Sequence, residues 1–204
     1  MADMMRPDHG HGPHPHRSWL HLLAAEPSFQ PGPEELAKAR DVLVAHGLAV
    51  AAPDGELLPG PEFARVLGSG HSPSSLPMLG AQSARERGEV RVEAGVWRCY
   101  PDPGPDGFNT VPLRGYTAPC PGCGAAQEFF ALRFPFANPM LGACPECGAE
   151  LPLLLMPWSP ELPTGRMEIT FGDLERRPSL RSAAVFGELE ETLGTALREV
   201  HVTL

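Results

Sequence analysis

Four of the five cysteines form two matched pairs, which is the most specific chemical signal in the sequence. The pairs read CPGCG and CPECG, with two residues inside each pair and twenty residues between the pairs. A C-x2-C pair followed about 15–20 residues later by a second pair is the spacing of a zinc site. Zinc takes four ligands at the corners of a tetrahedron, and one tight turn can supply two of them. We therefore predict one structural zinc ion, bound by Cys120, Cys123, Cys144 and Cys147.

The residues around each pair support this prediction. Proline follows the first cysteine of each pair, at Pro121 and Pro145, and fixes φ for a turn. Glycine follows the second cysteine, at Gly124 and Gly148, where the chain must leave through a conformation that other residues disfavour. Because all four coordination positions are taken by sulfur, none remains for water, and we predict no metal-assisted hydrolysis.

Three other uses of the cysteines fit the sequence less well than zinc. Two disulfides would suit a secreted protein, but residues 18–25 are too short and too poor in basic flanks for a signal peptide. A thioredoxin-like redox site needs one reactive pair in a βαβ setting, whereas this chain has two matched pairs. An iron–sulfur cluster also takes four cysteines, but paired knuckles at this spacing favour zinc. The fifth cysteine, Cys99, lies apart from the pairs and is predicted to be a buried, inert thiol.

Between the two cysteine pairs, successive side chains alternate between two faces, which is typical of a strand followed by a second, antiparallel strand. One predicted face holds Gln127, Phe129, Ala131 and Arg133, and the other holds Phe130, Leu132, Phe134 and Phe136. A hairpin closed at its base by zinc, with an aromatic face turned to the core, resembles the zinc-ribbon class over residues 116–152. The resemblance implies a structural role for the metal. It does not identify the function, because zinc ribbons serve many different partners.

Residues 17–70 are predicted to form a small helical module with a hairpin. Ser18 is placed at the start of a first helix that includes Trp19, Leu22 and Leu23. A second helix begins at Pro33, a tight hairpin turn follows at Asp54-Gly55, and PEFARVLG adds a last helical piece. Helix, helix, hairpin, helix resembles a winged-helix domain. The outward face of its second helix is net acidic and disfavours DNA, so we favour a protein-contact module. That face includes Glu34, Glu35, Lys38 and Asp41.

The predicted fold class is α+β, with the N-terminal module followed by a zinc-ribbon-containing α+β domain over residues 89–204. Residues 1–16 are predicted to be a disordered, histidine-rich tail, and residues 71–88 a linker rich in Gly, Ser and Pro. Several elements of the larger domain can be predicted from periodicity. They are paired strands at 89–93 and 96–100, a strand at 167–171, a helix at 183–193 and a strand at 197–204.

The charge distribution limits the possible partners. The formal net charge is -9 and no segment of the chain is basic, so nucleic acid is an improbable partner and a protein partner is favoured. The apolar run at 151–158 is far shorter than the roughly 20 residues of a membrane span. We therefore predict a cytoplasmic protein that does not enter membranes, in which thiols stay reduced.

Outside the cysteines, no residue pattern indicates catalysis. The histidines His46, His71 and His201 lack a recognisable nucleophile or base context. We predict a non-catalytic zinc-binding protein that acts as an adaptor or regulator through protein–protein contacts, and that is not an enzyme. Two alternatives stay open: a winged-helix transcription regulator, and an enzyme or enzyme accessory whose site the sequence does not reveal.

Overall fold

The fold is seen in a computed structural model that describes residues 18–67, 88–100, 115–129, 141–174 and 178–203. The predicted tail at 1–16 lies outside these ranges, as does nearly all of the predicted linker at 71–88. The elements, in chain order, are β1 (Ser18–Ala24), α1 (Pro33–Ala45), β2 (Ala49–Ala51), β3 (Leu57–Pro59), α2 (Phe63–Leu67), β4 (Glu89–Cys99), β5 (Thr117–Pro119), β6 (Ala126–Glu128), β7 (Leu141–Ala143), β8 (Glu150–Pro152), β9 (Thr164–Leu174), α3 (Ala184–Leu193) and β10 (Leu197–Thr203). A short 3-10 helix, Leu153–Leu155, follows β8. Helices and strands are thus both present, as the predicted α+β class requires.

The largest element is a four-stranded sheet with the order β10-β1-β9-β4. All of its pairings are antiparallel, and β1 lies in the interior between β9 and β10. The predicted helix at Ser18, with Trp19, Leu22 and Leu23, is therefore wrong, because these residues lie in β1. A strand buried on both faces reads as a nearly continuous apolar run, and a short run of this kind is ambiguous between helix and strand. Without its first helix, residues 17–70 do not have the element order that suggested a winged helix.

Strand β4 is a second correction. Residues 89–93 and 96–100 were predicted to be two strands that pair with each other. Instead, Glu89–Cys99 forms one strand that pairs with β9, with a register shift between Ala94 and Arg98. Gly95 lies within that irregularity at φ +93°, a conformation that L side chains rarely adopt. Gly95 therefore belongs to a β-bulge, a common position for an isolated glycine in a strand.

The helices cover one face of the sheet. The predicted helix at 183–193 is confirmed as α3, in which Val185, Phe186, Leu189 and Leu193 are all buried. The predicted helix that begins at Pro33 is also confirmed, as α1, and it contacts α3. The hairpin of β2 and β3 around Asp54-Gly55 is confirmed as well. A single apolar cluster joins residues from β1, α1, α2, β4, β9, α3 and β10.

The opposite face of the sheet contains a polar group that the sequence did not predict. His21 of β1 lies against Glu168 of β9, with 2.5 Å between Nδ1 and Oε1. Arg98 Nε donates to the second oxygen of Glu168 at 3.1 Å, and the Tyr100 hydroxyl donates to the first. Thr170 Oγ1 lies 3.3 Å from His21 Nδ1. We refer to these residues together with Glu93, which pairs with Arg98, as the His21 cluster.

The ionisation of Glu168 leads to a prediction about acid stability. Burial opposes ionisation, but hydrogen bonds from His21 and Tyr100 outweigh it and lower the pKa of Glu168 below its ordinary value of 4.5. A lowered folded-state pKa adds stability that is complete above the unfolded-state pKa and is lost as pH falls through the folded-state value. We expect the difference in unfolding free energy between wild type and Glu168→Gln to shrink as pH falls below about 4.5. Urea unfolding at a series of pH values measures this difference. A difference that grows as pH falls below 4.5 would contradict the prediction.

Candidate metal centre

Each cysteine pair lies in the turn of its own short hairpin. Strands β5 and β6 pair on either side of the first turn, and β7 and β8 pair on either side of the second. The two turns have the same backbone hydrogen bonds: the first cysteine N–H donates to the carbonyl two residues after the second cysteine, at 2.8 and 2.9 Å. Gly124 and Gly148 leave the turns at φ +75° and +71°. This explains the glycine after each pair, since a side chain there would strain the backbone.

The four sulfur atoms converge between the two hairpins. All four Sγ atoms lie within 4.8 Å of one another. The Cys120–Cys147 and Cys123–Cys144 distances are 3.7 and 3.8 Å. A tetrahedron with metal–sulfur bonds of about 2.3 Å has edges of about 3.8 Å, so these separations fit a single four-coordinate ion. The first cysteine of each pair is buried and the second is exposed. The structure therefore brings together all four cysteines that were predicted to bind metal.

The protonation of the four thiols also favours a cation. Burial raises the pKa of Cys120, but the backbone N–H groups of Cys123 and Gly122 outweigh burial and lower it to about 7. At Cys123, the N–H of Ala125 lowers the pKa, but the contacts with the Cys147, Cys120 and Cys144 sulfurs together with burial outweigh this and raise it to about 12. Crowding of the sulfurs thus opposes the ionisation of Cys123. A divalent cation at their centre supplies the charge that stabilises four thiolates.

A small apolar core surrounds the cysteines. We call residues 115–129 and 141–163 the knuckle unit. Its core includes Tyr116, Phe129 and Trp158, with the rings of Phe129 and Trp158 5.3 Å apart in an edge-to-face arrangement. Gln127 is 2% exposed, and its amide donates to Cys144 Sγ at 3.5 Å. A hydrogen bond to a sulfur stabilises the thiolate form, so Gln127 lies where it supports a metal ligand.

The predicted aromatic face between the pairs lies largely outside the described residues. Of that segment, β6 and Phe129 are described, and in them Gln127 and Phe129 are buried while Glu128 is exposed. Phe130, Leu132, Phe134 and Phe136, which were predicted to face the core, fall in the range that is not described. The buried face in the described part is thus the one that begins with Gln127.

Hydrogen bonds join the two parts of the knuckle unit to each other and the unit to the sheet. Thr117 and Ser159, both within the unit, exchange backbone hydrogen bonds at 2.8 and 3.0 Å. Tyr100 N–H donates to Pro163 O at 2.9 Å, and Thr164 Oγ1 donates to Leu154 O at 3.0 Å. Cys99 is half-buried against the apolar core of the unit, away from the four converging sulfurs. Burial raises the pKa of its thiol to about 12, which keeps it protonated at neutral pH, as expected for an inert thiol.

The other histidines considered in the sequence do not join the metal centre. His46 pairs with Glu188 on the surface, with 2.7 Å between Nε2 and Oε2. His201 lies half-buried in β10, and His71 falls outside the described residues. The residues that the sequence reasoning missed are His21 and Glu168. The available signal was a titratable residue within each of two largely apolar segments, His21 in SWLHLLA and Glu168 in MEITF.

Two further findings concern membrane spans and similarity to known proteins. Within the described ranges, no helix has the length and apolarity needed to cross a membrane. A comparison of the chain with protein-family models, curated proteins and solved structures gave no match.

Proposed function

We propose that the chain is a zinc-stabilised protein, with no catalysis at its metal centre, that acts as an adaptor or regulator through contacts with a protein partner. The observation that supports this most strongly is the convergence of four sulfur atoms from two hairpins, at separations that fit one tetrahedral ion. In this proposal Cys120, Cys123, Cys144 and Cys147 hold one zinc ion, and the ion joins the two hairpins of the knuckle unit.

Zinc is the ion that this ligand set favours. Four thiolates form a soft, closed shell, which suits zinc better than the hard cations that prefer oxygen. An iron–sulfur cluster places a core of several atoms between its cysteines, whereas sulfurs within 4.8 Å of one another leave room for a single ion. A closed shell has no open position for water or substrate, so the proposed role of the metal is structural.

The proposed partner is a protein with a basic surface. The net charge of the chain is -9, and the exposed side of α1 presents Glu34 and Asp41. Acidic surfaces accelerate association with basic partners and disfavour nucleic acid. The regulator alternative has lost support, because residues 18–24 form a strand where a winged helix has its first helix. The enzyme alternative has one observation in its favour, the His21 cluster, which is developed in the next subsection.

A capture experiment tests the partner proposal. The full chain is used as bait in lysate of its native host at low and high salt, with mass spectrometry as the readout. We expect one basic protein to be retained in near-stoichiometric amount at low salt and released at high salt, because charge attraction is screened by ions. Two matched variants, Leu155→Asp in the knuckle unit and Val50→Asp in β2, each place a charge on an exposed apolar position and show which surface is used. If no protein is retained at a stoichiometric level, the proposal is contradicted.

A further inference from the structure

Contacts with Glu168 and Tyr100 fix the side chain of His21 in one orientation. It is 7% exposed and lies on the face of the sheet opposite the helices. Its Nδ1 lies 2.5 Å from Glu168 Oε1, and its ring stacks on that of Tyr100 with 4.2 Å between centroids and 25° between planes. One hydrogen bond and one stacked ring therefore fix both the position and the rotation of the imidazole. The metal centre makes no use of this arrangement.

The partners of Glu168 determine which imidazole nitrogen holds the proton. Glu168 is 3% exposed, and it accepts hydrogen bonds from the Tyr100 hydroxyl and, at 3.1 Å, from Arg98 Nε. Such donors favour the ionised carboxylate, and an ionised carboxylate can only accept hydrogen bonds. His21 Nδ1 must therefore be the donor in its contact with Glu168. In neutral His21 the lone pair then lies on Nε2, for which no hydrogen bond occurs within the described part of the chain.

The ionic contacts of Glu168 come from Arg98, which also pairs with Glu93. A histidine oriented by a carboxylate, with its other nitrogen available, is the arrangement that general bases use.

We propose that His21 and Glu168 form a general-base site on this face of the sheet. In the proposed step, Nε2 removes a proton from a weakly acidic O–H or C–H group of a small ligand, and Glu168 stabilises the resulting imidazolium. Tyr100, Thr170 and Arg98 position the pair. This goes beyond the proposed function, since the site contains none of the metal ligands.

A base-dependent elimination tests the proposal. The probe is 5-nitrobenzisoxazole: the base removes its C–H proton, the N–O bond breaks as the C≡N bond forms, and a coloured nitrophenolate is released. We expect His21→Gln and Glu168→Gln each to lower the rate by at least about tenfold, since a positioned base contributes roughly 10²–10⁴-fold. The matched control is His46→Gln, which alters an exposed histidine–glutamate pair and should leave the rate unchanged. Equal rates for wild type and folded His21→Gln would overturn the proposal.

A second readout on the unmodified chain is needed in case the variants do not fold. Diethyl pyrocarbonate acylates the lone pair of a neutral imidazole nitrogen, which attacks its carbonyl carbon and releases ethanol and carbon dioxide. We expect mass spectrometry to find this label on His21 of the folded wild-type chain, together with His46. A chain labelled on His46 but never on His21 would show that Nε2 is not available, and would overturn the proposal.

Discussion

Replacing Cys144 with serine should release the metal and unfold the knuckle unit. Cys144 is buried, its sulfur accepts a hydrogen bond from Gln127, and it belongs to the small core that includes Phe129 and Trp158. In small zinc-finger peptides the metal contributes about 10–16 kcal/mol of apparent binding free energy, which is larger than the stability of most domains of this size. The hairpins β5–β6 and β7–β8 have three residues in each strand, and isolated two-stranded hairpins are marginal in water.

Cys99→Ser is the matched control for this variant. Both changes replace a sulfur with an oxygen next to the same apolar core, but Cys99 lies apart from the converging sulfurs. We expect Cys144→Ser to bind an apolar dye, lose near-ultraviolet circular dichroism and contain little zinc, whereas Cys99→Ser keeps its metal and its spectrum. If the two variants melt at the same temperature and hold the same zinc, the metal is not what stabilises the unit.

Removing the Glu168 carboxylate should cost about 3–5 kcal/mol of unfolding free energy. Loss of one partner from a buried ion pair leaves the remaining charged and polar groups uncompensated. The resulting loss of unfolding free energy is typically about 3–5 kcal/mol. In Glu168→Ala, the Tyr100 hydroxyl and Arg98 Nε would lose this acceptor, and His21 Nδ1 would keep only its 3.3 Å contact with Thr170 Oγ1. His21 is buried, so water cannot fully replace the hydrogen bond that it loses, and a buried donor without a good acceptor is costly.

The exposed pair of His46 and Glu188 provides the comparison. It has the same residue types and a similar contact distance of 2.7 Å, but it lies at the surface. Surface pairs contribute about 0–1 kcal/mol, so Glu188→Ala should change stability little. Denaturant unfolding of both variants at pH 7 measures the contrast. Equal losses of unfolding free energy at the two positions would show that burial does not determine how much the Glu168 contacts stabilise the protein.

The cysteine knuckles could be predicted because their signal is local. Two cysteines, a proline and a glycine within five residues determine a turn, and two such turns at a suitable spacing determine a metal site. Helix α3 was predictable for a similar reason, since its apolar period lies within one segment.

The sheet was harder to predict because its pairings join distant segments. His21 and Glu168 are 147 residues apart in the chain, and nothing local to either residue indicates the other. The prediction of a helix for the first strand failed because both faces of the strand are covered, so its sequence lacks the alternation of a half-exposed strand. The prediction of two paired strands at 89–93 and 96–100 failed because their true partner is the distant strand β9.

The most direct test of the account is the metal content of the folded chain. Elemental analysis and native mass spectrometry of protein purified without added metal should find close to one zinc ion per chain. Thiol alkylation of the same sample should label Cys99 only after unfolding, and should label the four other cysteines only after the zinc is removed. A fully folded chain that contains no metal, with Cys123 and Cys147 alkylated at once, would contradict the account.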